Sequence, residues 1–166
     1  RNLSEMSLDF VFLQEIRGKH PNLSLNVEFN NDPLEHLADE LWDYFIYGKN
    51  AIYAGGNHGN AILSKYPFKN WKNFDITNHR FEKRGLLIGT PAIDNKEIIQ
   101  LACTHLDLTQ YGRNRQLTKI KEILSVEIDN TLPFIFCGDM NDWNGKMTHS
   151  LNLFGLKSTP AQATFP

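Results

Sequence analysis

The sequence predicts a mixed α/β fold with largely antiparallel or mixed sheets, organised as a single domain over residues 1–166. Three observations predict it. Apolar runs of strand length recur along the chain, and two stretches carry apolar residues at helical spacing instead. Between 51 and 104 the strand-like runs follow one another through short turns, which favours hairpins over strict βαβ alternation. Two amphipathic helices must each bury one face, and helices layered on sheets satisfy both.

Element by element, "LDFVFLQEI" (8–16) reads as a strand that ends in Gln14-Glu15, and the Asn-rich stretch from Gly18 to Asn31 reads as a loop. A helix is predicted from Asp32 to near Gly48. Asp32 suits its cap, Pro33 its first turn and Glu35 a capping box, with Leu34, Leu37, Leu41, Trp42 and Phe45 on one face. "AIYA", "NAILSKY", "WKNFDIT", "RGLLIGTPAI" and "EIIQLACTH" are then strands divided by Gly-Gly, Tyr-Pro and Asp-Asn signals. A second helix covers 112–129 through Leu117, Ile120, Leu124 and Ile128. Strand "PFIFCG" and a short helix around 147–154 follow.

Composition limits function only loosely. The chain is 41% hydrophobic and 22% charged, ordinary for a globular protein, and its net charge of −2 announces no nucleic-acid surface. Cys103 and Cys137 lie in apolar runs and read as buried small hydrophobes, not a disulfide or a metal pair. That usage suits a reducing compartment, so a cytoplasmic location is expected. No apolar run approaches membrane-spanning length, and the first residues do not form a signal peptide.

Chemistry gathers at strand ends. Glu15 closes one apolar run, His105 and Asp107 another, and Asp139 and Asn141 a third. A carboxylate there is costly unless solvated, paired or bound to a cation. Three strands delivering hard oxygen ligands together suit a Mg²⁺ or Mn²⁺ site on a rigid scaffold. Other polar residues have plainer readings. Glu82 and Arg84 alternate along a strand edge as an ion pair or as site residues. Asp107 is a turn residue, Arg113 clamps a helix start, and Asp142 with Trp143 shapes a loop. His58 divides evenly between loop polarity and substrate contact.

In order, "LQEI", "GNAILSKYPF", "EKRGLLIG", "CTHLDL" and "GDMNDW" resemble the motifs of the endonuclease/exonuclease/phosphatase superfamily, the DNase I-like metal-dependent phosphoesterases. The resemblance covers essentially the whole chain and is nearest a bacterial branch of uncharacterised hydrolases. That branch is marked here by "LADELWDYFIYGKNA", by Arg113 with Gln116, and by "TFP" at 164–166. It implies a four-layer α/β/β/α sandwich and a divalent-metal-dependent phosphoester hydrolase. Glu15 would be the principal metal ligand, with Asp139 and Asn141 also at the metal. Asp139 would orient or deprotonate the attacking water, and Asn141 would hold the phosphate or the water. His105 would contact the phosphate, Glu82 would orient His105, Arg84 would add a second positive contact, and Asn60 would support the ligands from behind. The substrate would be a small phosphoester, a lipid head group or a nucleic acid. The near-neutral charge tilts this away from a duplex-gripping nuclease.

The departures carry their own expectation. The superfamily's first strand, ending in an asparagine, and its late Asp and Ser-Asp-His motifs have no counterpart between Arg1 and Pro166. The resemblance therefore implies a fragment incomplete at both ends. Such a chain would be weakly active or inactive by itself, with exposed sheet edges that promote association. The alternative is a non-catalytic binding or scaffold module that keeps the fold. A metal-independent hydrolase using His105 is a third reading.

Overall fold

The computed structural model describes residues 6–18, 41–94, 96–97, 99–143, 145, 147–152 and 155–159. Strands β1 (Phe10–Arg17), β2 (Tyr44–Tyr53) and β3 (Gly56–Ser64) form an antiparallel sheet in the order β1-β3-β2. A second sheet runs β4 (Phe68–Asp75), β5 (Gly85–Ile93), β7 (Gln100–His105), β8 (Phe134–Asp139), with the two-residue β6 (Lys96–Glu97) paired to β5. Its pairs are antiparallel up to β7, whereas β7 and β8 are parallel. A parallel pair needs a long crossover, and helix α1 (Gln110–Glu127) supplies it. A short helix, α2 (Met147–Asn152), follows.

Alternation along the strands builds the layers. Ile46 and Ile62 of the first sheet meet Leu87, Leu101 and Cys103 of the second in a core between the sheets. The intervening residues Leu86, Ile88 and Ala102 face Leu117 and Ile120 of α1. On the far side of the first sheet, Val11, Ala61 and Leu63 pack with Trp42. Among the described residues this is an α/β/β sandwich, three of the four layers that the resemblance implies.

The helix predicted from Asp32 is corrected where it can be seen. Residues 32–40 lie outside the described residues, but Tyr44–Tyr53 is strand, not helix. Its aromatic and β-branched residues pair with β3 along their whole length, and that pairing overrides the 3.6-residue coincidence of Leu41, Trp42 and Phe45. Trp42 is nonetheless buried, donating its indole N–H to Leu8 O at 3.0 Å. The loop predicted from Gly18 also lies almost wholly outside the described residues. The cysteines are free, Cys103 buried and Cys137 half-buried, although the parallel register sets them side by side.

Candidate active site

The C-terminal ends of β1, β7 and β8 converge at one edge of the two sheets. Regular alternation would not bring Glu15 there. Phe10 and Phe12 point into the inter-sheet core, and Val11 and Leu13 point outward, so residue 15 would point outward as well. Instead Leu13 pairs with Ala61 and Ile16 with Gly59, so Gln14 and Glu15 together oppose the single residue Asn60. This bulge carries Glu15 in the left-handed region at φ 57°. One extra residue reverses which face later side chains take. Ile16 returns to the outer cluster, and Glu15 Oε1 reaches 3.5 Å from His105 Nδ1 and 3.5 Å from Arg84 Nη1 of the other sheet. Asn60, opposite the bulge and fully buried, donates to Gly85 O at 3.0 Å and so ties the sheets together behind Glu15.

β8 needs a close approach to deliver its carboxylate. Gly138 has φ 150°, and a Cβ there would lie 1.9 Å from Thr104 O. Only glycine allows the two strand ends to meet. Asp139 then lies beside His105, Oδ2 to Nε2 at 3.7 Å, while its Oδ1 accepts from the Asn141 N–H at 2.9 Å. Asn141 adopts φ 49°, which asparagine tolerates. Its Nδ2 donates to Leu106 O at 2.8 Å, which leaves the amide oxygen as its ligand end. Glu15 and Asp139 are mostly exposed while His105 and Asn141 are buried. The imidazole is thus flanked by two open carboxylates. Burial, reinforced by the Arg84 charge, holds His105 below the usual histidine range. Two carboxylates and a carboxamide are hard oxygen donors, and that donor set fits a divalent cation such as Mg²⁺ or Mn²⁺.

One predicted contact differs. Glu82 does not touch His105. It forms a short ion pair with Arg84 Nη2 and faces His79 Nε2 at 3.4 Å. Arg84, the predicted phosphate contact, is itself buried, and its Nη1 lies 3.0 Å from His105 Nδ1. A longer arginine reaches the ring where the shorter path from Glu82 does not.

Asp107 is a turn residue, as expected, but a buried one. Thr109 donates to its Oδ1 from both N–H and hydroxyl at 2.7 Å, and these bonds outweigh burial to hold its pKa low. Gly112 leaves it room, since a Cβ there would sit 2.2 Å from its Cγ. Arg113 clamps the helix start by donating to Leu108 O at 2.7 Å, and Asp142 accepts from the first N–H of α2 at 2.7 Å. His58 lies on β3 against the Tyr53 ring, 5.9 Å between centroids. His79 was not among the sequence candidates. With Glu82 and Asp107 it places three potential ligand atoms within 4.8 Å. Lone in a polar loop, His79 had no sequence signal. Its partners come from a β-bridge to Glu82 and from the turn after β7.

Comparisons with known proteins agree with this architecture. The chain is 40% identical over 152 residues to the uncharacterised protein YbhP of Escherichia coli (strain K12), covering 89% of the chain and 59% of that protein's length. It thus spans well under two thirds of its curated relatives. An endonuclease/exonuclease/phosphatase family protein from Leptotrichia buccalis superposes with a TM-score of 0.65 at 18% identity, over 92% of this chain and 64% of the other. ANGEL2, a 2′,3′-cyclic phosphatase, does so with a TM-score of 0.63 at 18% identity, over 90% and 44%. These likenesses establish the DNase I-like fold. The model of the Endonuclease/Exonuclease/phosphatase family matches residues 1–164, and the chain belongs to that family.

Proposed function

We propose that this chain carries active-site residues of a divalent-metal-dependent phosphoester hydrolase. One observation carries the reading. A β-bulge turns Glu15 out of its regular direction, so that it and Asp139 flank a buried histidine across two sheets. A structural surface residue needs no such backbone strain.

In this reading Glu15, Asp139 and the amide oxygen of Asn141 hold Mg²⁺ or Mn²⁺, which when bound supplies charge neutralisation at the phosphoryl group. Asp139 orients the attacking water and accepts its proton, its Oδ1 steadied by the Asn141 N–H. His105, buried and held neutral, faces the phosphate and stabilises charge as it develops on the equatorial oxygens. Glu82 and Arg84 set the charge behind the ring, and Asn60 holds the sheets in register. The family name and the cyclic phosphatase activity of ANGEL2 support phosphoesters as the substrate class.

The test uses the full-length protein and bis-p-nitrophenyl phosphate. Hydrolysis is expected with Mn²⁺, to be lost in EDTA, and to fall at least about 100-fold in Glu15→Ala and Asp139→Ala. Turnover that survives EDTA would replace the metal with His105 chemistry. No turnover in any condition would leave a binding module.

A further inference from the structure

We propose that Arg84 is a positioning residue that fixes His105 in its Nε2–H tautomer, and is not a ligand for phosphate. The guanidinium has five N–H donors and no acceptor. With Nη1 3.0 Å from His105 Nδ1, that ring nitrogen must accept. A neutral imidazole has one N–H, so the proton is on Nε2, the nitrogen that faces Asp139 Oδ2. At 3.7 Å this pair is too far apart for a direct hydrogen bond. The Nε2–H is therefore free to donate to a group that enters beside Asp139.

The alternative state is built into the same site. Glu15 Oε1 lies 3.5 Å from Nδ1 and would accept from an Nδ1–H. Without Arg84 the ring would turn its proton toward Glu15 and present a lone pair to Asp139, the wrong polarity for meeting an anionic phosphate. Histidines are commonly set by a carboxylate or carbonyl that accepts from Nδ1–H. Here the partner is a cation, and the protonated nitrogen is the other one. Arg84 cannot also reach outward, because it is buried and its other terminal nitrogen is bound by Glu82. Glu82 is the anchor of this arrangement, holding Arg84 by an ion pair and adding its own charge near His105.

The inference rests on the hydrolase reading for its consequence, not for its geometry, so the experiment has two arms. Two-bond ¹H–¹⁵N correlation spectra of the metal-free, full-length protein above about pH 8, where an ordinary histidine is neutral, distinguish the two tautomers. Wild type is expected to give the Nε2–H pattern alone. Arg84→Met is expected to gain an Nδ1–H population, Glu82→Gln a smaller one, and Arg84→Lys to restore part of the wild-type pattern. An Nδ1–H pattern in wild type, or an unchanged spectrum in Arg84→Met, overturns the proposal. Should Arg84→Met fail to fold by circular dichroism, Glu82→Gln carries the same comparison, and an unchanged spectrum there overturns the proposal. In the activity arm, kcat is expected to fall about 10–100-fold with KM little changed. A raised KM at constant kcat would mark Arg84 as a phosphate contact. If the tautomer responds but no variant or wild type hydrolyses phosphoesters, the hydrolase reading fails and the positioning role stands.

Discussion

Glu15 shows how one residue joins fold and site. Its carboxylate is exposed, but its backbone sits at φ 57°, where a side chain with a Cβ is strained. Strain of this kind persists only where the surroundings enforce it, and here the enforcement is the two-against-one pairing with Asn60. Two substitutions separate the roles. Glu15→Gly and Glu15→Ala should both lose hydrolysis, yet Glu15→Gly should be the more stable by about 1 kcal/mol because glycine accepts the left-handed conformation. Urea unfolding of both variants in EDTA measures the difference. Equal stabilities would mean the bulge relaxes when the carboxylate is removed, and that Glu15 itself holds it in place.

At the scale of elements, the meeting of β7 and β8 sets the site. Thr104 and Gly138 are register partners, and Gly138 lets the strand carrying Asp139 come within contact of the strand carrying His105. Gly138→Ala should destabilise the protein by about 2–4 kcal/mol through overpacking and strain, and should reduce activity beyond what the stability loss explains. Thermal unfolding alongside kinetics at a temperature where the variant stays folded checks both parts. The strand ends themselves were legible in the sequence. "PFIFCGD" and "QLACTH" are uninterrupted apolar runs that stop at a polar residue, and few other structures produce that pattern. Helix α1 was legible too, displaced by two residues. The bulge was not, because alternation in "FVFLQEI" has no signal for one extra residue, and its cause lies in the partner strand. The last residues of β2 were legible as the strand "AIYA", but its first half was not, since Leu41, Trp42 and Phe45 fall at helical spacing and only pairing with β3 decides between the two. The Arg84 contact to His105 was missed for a third reason. It depends on side-chain length across two strands, which spacing along one strand does not report.

Over the whole molecule, His105 and Asp107 tie stability to pH in one direction. His105 is held low by burial and by Arg84, so below the ordinary histidine pKa of about 6.5 the unfolded chain binds a proton that the folded protein resists. That contribution is complete above about pH 6.5 and declines as pH falls through the folded value. Asp107 behaves likewise at lower pH. Burial opposes its ionisation, but the Thr109 bonds prevail and depress its pKa. Its contribution is present above about pH 4 and is lost as pH falls through its folded value. The metal-free protein should therefore weaken in two acid stages, read as urea midpoints at about pH 8, 6 and 4. Asp107→Asn should flatten the lower stage and leave the upper one. A midpoint that rises on acidification would contradict the burial of His105 in the upper stage and the Thr109 bonds to Asp107 in the lower one. Among the described residues no helix is long and apolar enough to cross a membrane.

The proposed ion site lies at Glu15 and Asp139, although potential ligand atoms of His79, Glu82 and Asp107 also come within 4.8 Å of one another. Calorimetric titration of the full-length protein with Mn²⁺ separates the two directly. Glu15→Gln and Asp139→Asn should each weaken binding at least about tenfold, and His79→Ala should leave it within about twofold. Loss of binding in His79→Ala, with Glu15→Gln unaffected, would move the metal to the other cluster, away from Glu15 and Asp139.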